Sequence, residues 1–249
     1  EFINCKLTIP KFQNSGNMAP EISVFSARPS DNSWQINKLD VRHDNNFYFV
    51  DNDLIENDKI FFLSDDKIIA NNMTQMKKNL MDLDNFTNTS PIAFRSNLKL
   101  ELKDGGFSSY QSDYPFSMTN KSGSIASPLS TLLNKDADKN FIILKNIFHL
   151  PIQKNSNIYF LDLKKKKILD QQTFKSNTSN FIRVDNDLID ENTYILTEKF
   201  LGIPIYVSIK NKHMSMEHTH PPHHYILGAD KFYTVSKFKK KLLEIVEKK

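Results

Sequence analysis

The sequence predicts a mainly β protein of the α+β kind, made of two similar antiparallel β units from an internal duplication, each closed by a helix. Three observations carry that expectation. The hexapeptide Val50-Asp51-Asn52-Asp53-Leu54-Ile55 recurs unchanged as Val184-Asp185-Asn186-Asp187-Leu188-Ile189, and self-similarity of this kind points to a repeated structural unit. Its flanks keep the same order: Phe47-Tyr48-Phe49 and Ile60-Phe61-Phe62-Leu63 bracket the first copy, Phe181-Ile182-Arg183 and Tyr194-Ile195-Leu196 the second. Most apolar runs are short, β-branched or aromatic and bounded by Asn, Asp, Ser or Pro, which is how strands read.

The elements follow along the chain. Strand-like runs cover 22 to 26, 46 to 50, 59 to 64, 92 to 103 and 107 to 111 in the first copy. In the second they cover 140 to 149, 157 to 163, 181 to 184, 193 to 198, 203 to 210 and 213 to 220. Leu98, Leu100 and Leu102 alternate into Lys103-Asp104-Gly105-Gly106, as Ile205, Val207 and Ile209 alternate into Lys210-Asn211-Lys212; Asn, Asp and Gly tolerate the positive φ of hairpin turns. A helix is expected in an insertion at about 66 to 91, where Met73, Met76, Leu80 and Leu83 keep helical spacing behind Asn71 and Asn72 as caps. Ser127 to Leu133, with Pro128 in its first turn, reads as the closing helix of the first copy. Phe232, Val235, Phe238, Leu242, Ile245 and Val246 form the apolar stripe of the second, opposite Lys237, Lys240, Lys241 and Lys248. The implied division is 1–139 and 140–249, with the sheets of each unit expected to pack as a β-sandwich.

Composition narrows the function. The chain of 249 residues is 39% hydrophobic, enough for a packed core, and 25% charged with a net charge of +4, an ordinary globular balance that gives no reason to expect a nucleic-acid partner. A single cysteine, Cys5, excludes an intrachain disulfide framework and a multi-cysteine zinc site. No apolar run approaches membrane-spanning length, so a soluble chain without a membrane span is expected. With six glycines, the chain holds no G-x-G-x-x-G turn, no P-loop and no G-x-S-x-G elbow.

The local anomaly is histidine. Five of the seven fall in His213-Met-Ser-Met-Glu-His-Thr-His-Pro-Pro-His-His224. On a strand, Met214, Met216, His218 and His220 share one face and His213, Ser215, Glu217 and Thr219 the other. Two imidazoles two residues apart can ligate one ion, and the Pro221-Pro222 bend can return His223 or His224 towards it. His218, His220, His223, His224, Glu217 and Tyr225 are therefore the candidate ligand-binding residues, with His218, His220 and His224 as candidate ligands of a divalent metal such as zinc. The spacing is similar to the H-x-H-x-D-H motif of metallo-β-lactamases, but Pro222 stands where that motif has its Asp. Structural histidines holding a turn remain the alternative.

Weaker features complete the reading. Trp34 with Tyr48 or Tyr110 could stack on a sugar ring. Lys164 to Lys167 form a solvated turn able to touch phosphate or sulfate, and the basic C-terminal helix could lie on a membrane, although its stripe reads as core. Asn72, Asn85, Asn88, Asn120 and Asn177 begin N-x-[ST] triplets. With no nucleotide loop, triad or paired carboxylates in view, the expected function is a non-catalytic recognition module that binds an extended polar ligand, foremost carbohydrate, through loops and aromatics around the His cluster of the second copy. The alternative is an enzyme acting on a sugar or small polar substrate through the His-rich site.

Overall fold

A computed structural model describes residues 4–11, 22–80, 95–111, 123–200, 202–218 and 231–248. The chain divides into two compact units. The first takes Glu1–Lys121, Asn146–Lys154 and Ser176–Ser179; the second takes Ser122–Lys145, Asn155–Lys175 and Asn180–Lys249.

The first unit contains β1 (Asn4–Pro10), β2 (Ile22–Ser30), β3 (Ser33–Lys38), β4 (Arg42–His43), β5 (Phe47–Val50), β6 (Ile60–Asp65), α1 (Asp66–Lys78), β7 (Asn97–Glu101) and β8 (Phe107–Gln111). Its strands form two sheets, β4-β5-β1-β7-β8 and β3-β2-β6. The second unit contains β9 (Ala126–Pro128), β10 (Lys139–Lys145), β11 (Asn155–Asp162), β12 (Lys167–Lys175), β13 (Ser179–Val184), β14 (Thr193–Thr197), β15 (Ile205–Lys210), β16 (His213–His218) and α2 (Lys231–Glu247). Its sheets are β13-β10-β15-β16 and β12-β11-β14-β9.

The order β5-β1-β7-β8 thus recurs as β13-β10-β15-β16, and β3-β2-β6 as β12-β11-β14. The repeated hexapeptide ends β5 and β13 and continues into the 3-10 turns Asn52–Leu54 and Asn186–Leu188. Val50 and Val184 are buried. The Asn side chain ties each turn to the strand beside it or its approach. Asn52 Oδ1 accepts from the backbone N of Cys5 in β1 at 2.9 Å. Asn186 Oδ1 accepts from Asn140 of β10 at 3.0 Å, and its Nδ2 donates to the Ala137 carbonyl at 2.8 Å.

Two β units, each closed by a helix, is nevertheless not the architecture, and a β-sandwich does not describe it. The strands are shared among four small antiparallel sheets of three to five strands, each about the size of one propeller blade. The segment expected to close the first unit, Ser127 to Leu133, is no helix: Ala126–Pro128 is an edge strand paired with β14, and turns follow. Proline lacks an N–H, so Pro128 is as compatible with a sheet edge as with a helix start. The expected caps of α1 also fail. Asp65 caps it, accepting from Lys67 N at 2.6 Å and Ile68 N at 3.3 Å, while Asn72 lies inside the helix and donates to the Ile68 carbonyl at 2.8 Å. Leu83 lies outside the described residues.

In each unit one sheet is covered on both faces over its inner strands, which is why β11 and β14, and the start of β2, read as near-continuous apolar runs. Phe25, Ala27, Trp34, Ile36, Ile60 and Phe62 turn towards Ile69 and Met76 of α1, whereas Val24, Phe61 and Leu63 pack with Ile9 and Val50 of the neighbouring sheet. In the second unit Ile158 and Phe160 of β11 join Ile142, Ile182 and Tyr206, whereas Tyr159 and Leu161 meet Leu242 and Ile245 of α2.

Two late segments complete the first unit. Trp34, the only tryptophan, is fully buried and donates its Nε1–H to the His149 carbonyl at 3.0 Å. The same carbonyl accepts from Leu80 N at 2.9 Å. Asn177 holds this loop. It is fully buried at φ 56°, donates from Nδ2 to the carbonyls of Leu150 (2.8 Å) and Ile152 (3.0 Å), and accepts at Oδ1 from Phe148 N (2.7 Å). Asn tolerates the left-handed backbone that a β-branched residue would not. The N-x-[ST] triplet at Asn177 therefore has its asparagine side chain buried in the folded unit.

Candidate functional site

The outward face of the β4-β5-β1-β7-β8 sheet is the most distinctive surface among the described residues. Cross-strand partners share a face of a sheet, and the register places Phe107 beside Glu101, Ser109 beside Lys99 and Lys6, and Gln111 beside Asn97 and Thr8. The same row continues from Thr8 to Phe49 and Arg42, with Phe47 opposite Pro10. The other face carries Leu7, Ile9, Tyr48, Val50, Leu98, Leu100 and Tyr110 and contributes to the core. An aromatic-aromatic-aromatic-valine strand in β5 thus sends Tyr48 and Val50 inward and Phe47 and Phe49 outward.

Three phenylalanines consequently stand on a solvent-facing surface: Phe107 is 62% exposed, and Phe47 and Phe49 are half-buried with ring centroids 6.3 Å apart. Two carry cations. Lys99 Nζ lies 4.0 Å from the Phe107 centroid and the Arg42 guanidinium 4.1 Å from that of Phe49, geometry in which the ring quadrupole attracts positive charge. Each cation also meets a carboxylate: Lys99 Nζ contacts Glu101 at 2.5 Å, Lys6 lies 3.9 Å from Glu101, and Arg42 lies 3.8 Å from Asp51. The hydrogen bond from Lys99, then the charges of Lys99 and Lys6, hold the Glu101 carboxyl below its usual range. The face is therefore aromatic and polar, with three cations set against two carboxylates.

No family model, curated protein or solved structure matches this chain. The function rests on geometry alone.

The aromatics singled out in the sequence for sugar stacking are core residues: Trp34 is fully buried, Tyr110 is buried, and Tyr48 lies on the inward face with its hydroxyl donating to the Ile22 carbonyl at 2.5 Å. Burial pushes the Tyr48 hydroxyl above its ordinary pKa. Lys11 Nζ sits 4.6 Å over the Tyr48 ring, within 3.1 Å of His43 Nδ1 and 2.5 Å of the Asp44 carbonyl. The missed signal was alternation: reading Phe47-Tyr48-Phe49 at period two would have placed the flanking rings together on one face and the tyrosine on the other.

In the second unit, β16 places His218 opposite Ile205, on the half-buried face of Met214 and Met216. Glu217 is exposed on the other face, opposite Tyr206. Thr219, His220, His223, His224 and Tyr225 lie outside the described residues. Among the described residues no group of three His, Cys, Asp or Glu side chains is assembled to hold a metal ion. No described helix is long and apolar enough to cross a membrane.

Proposed function

We propose that this protein is a non-catalytic recognition module that binds an extended polar chain, a carbohydrate, on the outward face of the β4-β5-β1-β7-β8 sheet. The supporting observation is the set of three solvent-facing phenylalanines, Phe47, Phe49 and Phe107, set among Thr8, Asn97, Ser109 and Gln111 on one face. Sugar rings present apolar C–H faces flanked by hydroxyls, and an aromatic ring beside amides and hydroxyls meets both. Because Glu101 and Asp51 offset two of the three cations Lys99, Lys6 and Arg42, the face has no large net charge with which to select a polyanion. A sheet face also offers a span longer than one sugar ring, which suits a chain.

A glycan array followed by titration of the best oligosaccharide tests this reading. Wild type is expected to bind longer oligomers more tightly than the monosaccharide, and Phe107→Ala and Phe49→Ala each to weaken binding by about 5- to 30-fold, equivalent to about 1–2 kcal/mol. Absence of binding to any glycan, or binding by both variants unchanged from wild type, would sink the proposal. The second reading, an enzyme using His218, His220 and His223 or His224 with Glu217, draws support from the shared face of His218 with Met214 and Met216. Elemental analysis of protein prepared without a histidine tag tests its metal-dependent form: a stoichiometric metal lost in His218→Ala supports it.

A further inference from the structure

The tetralysine run and the basic C-terminal helix, far apart in sequence, form one surface in the second unit. Leu163, immediately before Lys164, and Ile168, immediately after Lys167, pack in the same apolar cluster as Leu242, Ile245 and Phe238 of α2. That packing holds the Lys164–Lys167 turn beside the helix, with all four lysines exposed. Because Leu242 and Ile245 face the sheet, helical periodicity turns Lys237 and Lys240 outward with Lys241 and Lys248 on the flank, and all four are exposed. Lys165 is matched by Asp162 at 3.4 Å. None of the other seven lysines forms an ion pair with a described residue. Seven lysines less Glu244 and Glu247 leave +5 on this surface, more than the +4 of the entire chain.

From this arrangement we infer that the Lys164–Lys167 turn and the outer face of α2 form a peripheral docking surface for a membrane rich in anionic phospholipid. Three features favour a lipid surface over a nucleic acid. Every cation is lysine, a flexible point charge suited to a diffuse layer of phosphates rather than to the planar, bidentate recognition that arginine provides. No aromatic is interleaved in the lysine turn to stack on a base. The exposed apolar groups lie instead on α2, where Tyr233 is 67% and Leu243 39% exposed. An aromatic and an aliphatic side chain flanked by lysines suit the headgroup boundary. This surface is in the second unit and is independent of the aromatic face proposed above for carbohydrate.

The test is co-sedimentation of the full chain with phosphatidylcholine vesicles, with and without about one-third phosphatidylserine, at about 0.1 M and about 0.5 M salt. Binding is expected only with the anionic lipid, and loss is expected at the higher salt. Lys164→Gln/Lys166→Gln and, separately, Lys240→Gln/Lys241→Gln should each lower the partition coefficient by about 10-fold or more, since each pair contributes through independent electrostatic attraction. All four positions are exposed, so far-ultraviolet circular dichroism and the calorimetric unfolding transition should stay native in both variants. Equal sedimentation with both vesicle types, or unchanged binding by both variants, overturns the inference. So does release of vesicle-bound protein by duplex DNA at equal phosphate concentration, which would mark a polynucleotide surface.

Discussion

Replacing Asn177 by alanine should detach the loop that carries the His149 carbonyl from the first unit. The substitution removes three buried hydrogen bonds, two donated to Leu150 and Ile152 and one accepted from Phe148 N. At a net value of about 1 kcal/mol each, these amount to roughly 3 kcal/mol. Alanine would also inherit φ 56°, adding about 1–2 kcal/mol for the left-handed backbone. The total, roughly 4–5 kcal/mol, is a large part of the stability of about 5–15 kcal/mol typical of a domain. Trp34 reports the event directly, being the only tryptophan and hydrogen-bonded to the loop through its indole N–H. Urea unfolding followed by Trp34 fluorescence should show a lower midpoint and, before the main transition, a red-shifted emission. Asn177→Gly accommodates the positive φ but still loses the three bonds, and should recover about 1 kcal/mol of the loss. A midpoint for Asn177→Ala within experimental error of wild type would refute the reasoning, and equality of the Ala and Gly variants would refute its backbone part.

Burial holds the Tyr206 hydroxyl, hydrogen-bonded with Ser127, far above its ordinary pKa; the neutral form is favoured in the folded state, so stability should fall as pH rises above about 10, where unfolded tyrosine ionises. Absorbance at the phenolate band should show Tyr206 ionising only with alkaline unfolding, and smooth titration within the native state would contradict this. Asp44 has its pKa lowered by the N–H groups of Asn46 and Phe47, so its contribution is present above the ordinary carboxylate range and lost as pH falls through the depressed folded value. Asp44→Asn should accordingly flatten the acid limb of a stability profile, and an unchanged limb would argue against that role. Leu242→Ala leaves a cavity where α2 meets Tyr159, Leu161 and Leu196, and should lower stability by about 2–5 kcal/mol, read by calorimetry. A loss below about 1 kcal/mol would mean that the α2 contact contributes little.

Much of the strand framework was legible because apolar alternation bounded by Asn and Asp is a local signal, and the hexapeptide marks the same point after β5 and β13. Among the strands that escaped, β12 has a polar, Lys- and Gln-rich sequence at a sheet edge, where only one side of the strand needs a hydrogen-bonding neighbour and few residues need be apolar; β1, central in its sheet, escaped as well. Pro128 misled because its fixed φ suits two environments equally. The partition of strands among four sheets was hidden because pairing is set by contacts distant in sequence. The aromatic face escaped for another reason: Phe107, Phe49 and Phe47 come from two regions of the chain and share a face only through the register of β8, β7, β1 and β5. The lysine turn and basic helix were each visible alone. Their adjacency depends on Leu163, Ile168 and Leu242 sharing one apolar cluster.

The late segments of the first unit also set a timetable for its birth. Trp34 leaves the ribosome 115 residues ahead of the carbonyl that receives its N–H, a delay of about 6–23 s at ordinary rates of synthesis. Through that interval the nascent unit has its tryptophan but neither the Asn146–Lys154 loop nor the Asn177 latch that fastens it. Sequential maturation, in which an N-terminal unit is finished before its successor is begun, is closed to this chain. Its first half must wait, partly open, for the polypeptide to return to it twice.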